Sequence, residues 1–135
     1  MPGRPPLRTS VIVVLVTCPG RTVALRLAQA VVSEGLAACV NIIPGLTSVY
    51  RWQGKLCQDR EVLLLLKSRR AAFPALARRI TSLHPYSVPE VLALPVAAGA
   101  ADYLAWVESS VPLPSRRDQP APLGRKPKPG GNKIQ

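Results

Sequence analysis

This 135-residue chain has little histidine, little acid and no paired cysteine motif: one His, seven acidic residues and three cysteines. His84 alone cannot make the HExxH zinc helix, and the chain holds neither a nucleophile elbow nor a glycine-rich phosphate loop. With so little acid-base equipment, a protein that is not an enzyme is expected. Cys18, Cys39 and Cys57 form no CxxC pair, and their odd number argues against a disulfide framework. A reducing compartment follows, the cytoplasm being the expectation. No apolar stretch approaches the length of a spanning helix. The apolar run Val11 to Val16, behind Arg8, is too short for a secretory signal core and reads as a buried strand, although an uncleaved or organellar leader stays open.

Positive charge is abundant, at a formal +11, but it is unevenly placed. Residues 1–9 and 111–135 together hold +7 of it and nine of the fifteen prolines. Basic, proline-rich ends without apolar periodicity bury too little surface to offset their ordering entropy, so both are expected to be disordered. The tail 111–135 is then a candidate contact for protein partners. Such basic tails could bind phosphate by charge alone. Residues 10–110 carry no platform of exposed aromatics and bases, so no specific nucleic-acid readout is expected.

Between the ends lies one domain. Val11–Val16 is a continuous aliphatic run, as in a strand buried on both faces. Val23, Ala24, Leu27, Ala30 and Val31 recur at helical spacing over 22–34, with Gly35 at a left-handed C-cap. Leu36–Ile43 reads as a second strand, bent at Pro44-Gly45 and continuing to Trp52; Gln53-Gly54 turns a hairpin. The return strand starts polar at Lys55 and becomes apolar at Val62–Leu66. Phe73, Leu76, Ala77, Ile80 and Leu83 mark a second helix, with Pro74 in its first turn and Pro85 beyond its end. Val91–Val96 is a short edge strand, and Asp102 can cap a last helix.

The order βαββαβ plus a short helix is that of the α+β ferredoxin-like sandwich. Its first and third strands are expected side by side and parallel in the middle, with both helices on one face. Both central runs are apolar at every position, so the second face also needs cover; another copy of the chain is the simplest candidate.

Four ordered segments carry a resemblance: VTCP at Val16–Pro19, EGLAACVNIIPG at Glu34–Gly45, TSVYRWQGKL at Thr47–Leu56 and SLHPYSVPEVLALPV at Ser82–Val96. With DYLAW at Asp102–Trp106 they resemble the CutA family of divalent-cation tolerance proteins, and look nearest to its animal branch. The resemblance implies a ferredoxin-like homotrimer of the PII type, binding of copper or another divalent metal, and a role in metal tolerance. It also implies an alternative. Animal members are linked to the handling of membrane-anchored acetylcholinesterase, which would make the trimer a scaffold or trafficking adaptor with a degenerate metal site. Where some bacterial members supply copper with a first-strand Cys and a His directly before the HPY triplet, this chain has Val16 and Leu83. Of that set it keeps Glu90.

The assumed topology brings Cys18 near His84 and Glu90, a thiol, an imidazole and a carboxylate that could ligate copper or zinc. In the alternative reading, Cys18 packs at a strand end, His84 hydrogen-bonds a loop ahead of Pro85, and Glu90 serves local backbone donors. Cys39 reads as core, and Cys57 as an exposed or neighbour-covered thiol. Tyr50 and Trp52 alternate onto one face of the hairpin and Tyr86 follows Pro85; they line an intersubunit pocket or form the interface packing itself. Lys67, with Arg69 and Arg70, either holds an anion between subunits or is a solvated face.

Overall fold

A computed structural model of the protein describes residues 9–113. Its elements are β1 (Val11–Cys18), α1 (Arg21–Ser33), β2 (Cys39–Trp52), β3 (Lys55–Arg69), a 3-10 turn (Arg70–Ala72), α2 (Phe73–Leu83), β4 (Leu92–Pro95) and α3 (Ala101–Ser110). The sheet order is β2-β3-β1-β4, the ferredoxin-like arrangement, and every neighbouring pair is antiparallel. The expected parallel pairing of β1 with β3 is therefore wrong. The α1 crossover returns β2 parallel to β1, the hairpin then reverses β3, and β3 lies between them running against both.

Local chemistry sets the boundaries. Gly35 adopts φ +72, which lets Leu36 N–H reach back to Val31 O at 2.9 Å and close α1. Gln53 and Gly54 both have positive φ, the geometry of a two-residue hairpin that follows strand twist. Pro44-Gly45 does not end β2; the pairing with β3 slips between Ile43 and Leu46 and continues to Trp52. Asp102 is not the cap of α3. The N-cap is Ala100, with no side-chain bond, and Asp102 sits in the first turn, where its charge favours the positive helix end.

One face of the sheet is closed by the two longer helices. Val14 and Val16 of β1 and Leu64 and Leu66 of β3 pack with Leu27 and Val31 of α1 and Leu76 and Ile80 of α2. Only one end of the other face is covered, by α3, whose Val107 joins Val11, Ala38 and Val111 in a second cluster. Arg69 holds that helix by donating from Nη1 to Glu108 O and Val111 O, both at 3.2 Å, placing a cation at the negative helix end. The rest of the face is open: Leu92 and Leu94 are 55% and 48% exposed, and Val13, Leu15, Leu63 and Leu65 are half-buried.

Val111 is buried and Thr9 hydrogen-bonds Val96 O, so each belongs to the folded body although both were assigned to the ends. The remaining expectations for the two ends lie outside the described residues. Truncating Leu64, buried in the core cluster on the sheet face that carries α1 and α2, should lower stability by ~2–5 kcal/mol in denaturant unfolding, whereas Thr47→Ala on the exposed hairpin should stay within ~0.5 kcal/mol.

Candidate functional site

β1 ends where β3 changes from polar to apolar, Cys18 pairing with Val62. The segment after α2 closes over that end, because Pro85 stops the helix and turns the chain towards β4. His84 is thereby buried and engaged at both nitrogens. Its Nε2 donates to Thr17 O at 2.8 Å, while Nδ1 accepts from Tyr86 N–H at 3.1 Å. A backbone donor at Nδ1 places the ring proton on Nε2, so the imidazole is neutral in this arrangement. Tyr86 stacks obliquely on His84, ring centres 4.6 Å apart, and its hydroxyl donates to Glu61 Oε2 at 2.7 Å.

Glu61 is a carboxylate only 3% exposed at the base of the hairpin. With burial first and Glu61 second, the Cys18 thiol is pushed from 9.0 up to about 12. It stays a thiol at neutral pH, and metals bind thiolates. Burial first, and then the bond to Glu61, likewise hold the Tyr86 phenol well above its ordinary range. Farther along the hairpin the Tyr50 hydroxyl donates to Asp59, and that bond is the main reason its phenol is also held up.

Of the three expected ligands, Cys18 and His84 are brought together and buried, while Glu90 is exposed in the segment before β4. The set does not fit a metal within one chain. The His84 nitrogens are taken, the Cys18 sulfur is protonated and desolvated, and no group of three or more His, Cys, Asp or Glu among the described residues could hold an ion. Tyr50 and Trp52 share a hairpin face as expected, but Tyr86 is committed to Glu61. Lys67 donates to the side-chain carbonyl of Asn41. Cys39 lies at the α3 margin with its sulfur 3.6 Å from Tyr103 Oη, and Cys57 is half-buried on the hairpin.

Sequence reasoning missed Glu61. The signal was available: Asp59 and Glu61 are acids two apart on a strand, hence on one side, and the second directly precedes a buried apolar run.

Two outcomes are expected from this network. Tyr86→Phe removes the hydroxyl that serves buried Glu61 and should cost ~1–3 kcal/mol in chemical denaturation. Cys18 has its pKa raised by folding, so its contribution is complete below 9.0 and is lost as pH rises towards about 12. Stability should fall across that window, by up to ~1.4 kcal/mol per pH unit from this group, and Cys18→Ala should flatten that part of the slope in alkaline unfolding curves.

Residues 12–110 match the family model described as CutA1 divalent ion tolerance protein. A divalent-cation tolerance protein CutA of Thermus thermophilus is 55% identical over 98 residues, covering 73% of this chain and 95% of the relative. Protein CutA of mouse and of human are each 51% identical over 98 residues, spanning only 55% of their length. The motifs therefore mark the family and do not single out its animal branch. Among solved structures, the Thermus thermophilus Cut A1 protein superposes with TM-score 0.75 at 53% identity, over 76% of this chain and 99% of that one. CutA1 of Oryza sativa gives 0.75 at 46% identity, over 78% and 96%. By sequence and by fold, the chain belongs to the CutA1 divalent ion tolerance family, whose members are not enzymes.

Proposed function

We propose that the protein works as a homotrimer in divalent-cation tolerance, with the open sheet face and the hairpin of each copy covered by the others. The observation that carries this reading is the second sheet face. Leu15, Leu63, Leu65, Leu92 and Leu94 lie in adjacent rows of β1, β3 and β4 on the side that α1 and α2 do not reach. An apolar surface of that extent is rarely left wet on a monomer. The hairpin adds support. Beyond the Cys18–Val62 pair, β2 and β3 continue as a two-stranded ribbon from Leu46 to Glu61, and such a ribbon is marginal in water without a packing partner. Tyr50 and Trp52 are the side chains that would meet a neighbour, and Lys67 with Asn41 would be the polar pair within the covered face.

A metal contact in this reading belongs to the junction between copies. Glu90, exposed and next to β4, is the one expected ligand in a position to share an ion, copper among the candidates, with groups of a second copy. Cys18 and His84 then set the shape of the segment that carries it. The engaged nitrogens of His84 favour a second reading, a scaffold or trafficking adaptor for protein partners whose metal site has degenerated and whose basic ends make the contacts. Three cysteines, none of them in a disulfide, support a reducing compartment, with the cytoplasm as the proposed location.

Light scattering or native mass spectrometry should give three times the chain mass, and Leu15→Glu in the open face should shift it towards one; a folded wild-type monomer would remove the assembly. In copper titration calorimetry Glu90→Ala should weaken binding at least about tenfold, equivalent to ~1.4 kcal/mol, while Cys18→Ala changes it little. Equal affinity in Glu90→Ala and wild type would leave the adaptor reading in place of the metal one.

A further inference from the structure

His84 is the chain's single histidine, and its imidazole makes two of the bonds that start the segment 84–91 between α2 and β4. The residue is only 7% exposed. Both bonds lie within one chain, so a second copy packed nearby could deepen that burial but not undo it. The arrangement admits one protonation state. Nε2 carries a hydrogen for Thr17 O, and Nδ1 offers its lone pair to Tyr86 N–H two residues on. An imidazolium has a hydrogen on each nitrogen and no lone pair left in the ring plane. Protonated at Nδ1, it would set two N–H groups head to head across 3.1 Å and leave the amide of buried Tyr86 without its acceptor.

We propose that His84 is an acid-operated latch: uptake of one proton at Nδ1 frees the segment 84–91 from the end of β1 while the sheet and both longer helices stay folded. The charges around the ring set the pH of release, not its direction. From β3, the Glu61 carboxylate that holds the Tyr86 hydroxyl attracts a cation, with Asp59 two residues away on the same side. The carbonyls at the end of α2, whose last turn contains no basic residue, do the same. On β1 the Cys18 thiol is uncharged at neutral pH, as is the Tyr86 phenol, and Glu90 later in the segment is exposed. These attractions favour an imidazolium, yet none removes the contact between the two N–H groups. The cation is accommodated only when its Nδ1 edge turns away from Tyr86, and that turn is the release. Because the open segment binds one proton more than the closed one, closure is complete in neutral solution and is lost as pH falls through the ordinary histidine range of ~6.5 and below.

The test follows the full chain, nitrogen-labelled, by NMR from about pH 7.5 down to about pH 4.5. A single histidine leaves no ambiguity over which ring is read. Its nitrogens should show the Nε2–H tautomer at the upper end and the charged ring at the lower. Protection of the Tyr86 amide against hydrogen exchange should fall at least about tenfold with the same midpoint, while the Leu64 and Leu66 amides of the central sheet stay protected. His84→Asn is the counterpart that does not titrate, because an Asn carbonyl accepts from the N–H two residues on in an Asx turn. In that variant Tyr86 should stay protected over the whole range. Loss of its protection there with the wild-type midpoint overturns the proposal, as does a ring that charges with no change at Tyr86, or one that stays neutral until the central strands open. Glu61→Gln should move the midpoint and keep ring and amide in step; a response that disappears in Glu61→Gln assigns the switch to the carboxylate and also overturns the proposal. Should His84→Asn not fold, the coincidence of ring and amide midpoints in the unaltered protein decides alone.

Discussion

The structure depends on the pairing of two continuous apolar strands, Val11–Cys18 and the second half of Lys55–Arg69, at the centre of a four-stranded sheet. Strand side chains alternate between faces, so two strands apolar at every position load both faces of the sheet at once. The helices α1 and α2 can discharge only one of them. On the other, α3 covers the end around Val11 and is held there by the guanidinium of Arg69 at its last carbonyls. What remains uncovered is an apolar surface, and it exists because the crossover helices of a ferredoxin-like chain all fall on one side.

The same burial decides the chemistry at the end of β1. Desolvation there holds Cys18 as a thiol and leaves His84 with a fixed tautomer, one nitrogen donating to Thr17 and the other accepting from Tyr86. Groups that would be ligands on an open surface become the fasteners of a tight turn. Through Tyr86 that turn also grips Glu61 at the root of the ribbon, so the position of the segment ahead of β4 and the direction of the ribbon are set by one small polar network. Glu90, just outside it, keeps its exposure. That separation is why metal tolerance as a family trait does not translate into a ligand set within a single chain.

Charge along the ribbon is sorted by the strand period of two. Asp59 and Glu61 fall on the face where phenols meet them, while Arg51 and Arg60 fall on the face with Val49 and Leu56. A one-residue slip would mix the two sets. The turn at Gln53-Gly54, with both residues at positive φ, and the irregularity between Ile43 and Leu46 hold the register against that slip.

Much of this was legible in the residues alone. Apolar runs, helical spacing, Gly35 and Gln53-Gly54 are local signals, so the element order and most boundaries could be read without a fold, and the four motif segments pointed to the family. Strand direction was not local: β1 and β3 are neighbours across more than forty residues of chain, and only the reversal at the hairpin makes them antiparallel. The placement of α3 on the second face depended likewise on Arg69 and Val11 meeting it from distant segments. Cys18, His84 and Glu90 could be named from sequence as ligand types, but a ligand is defined by its free lone pair. Whether the lone pairs of His84 were free was decided by Thr17 and Tyr86, which tertiary packing brought to its two sides.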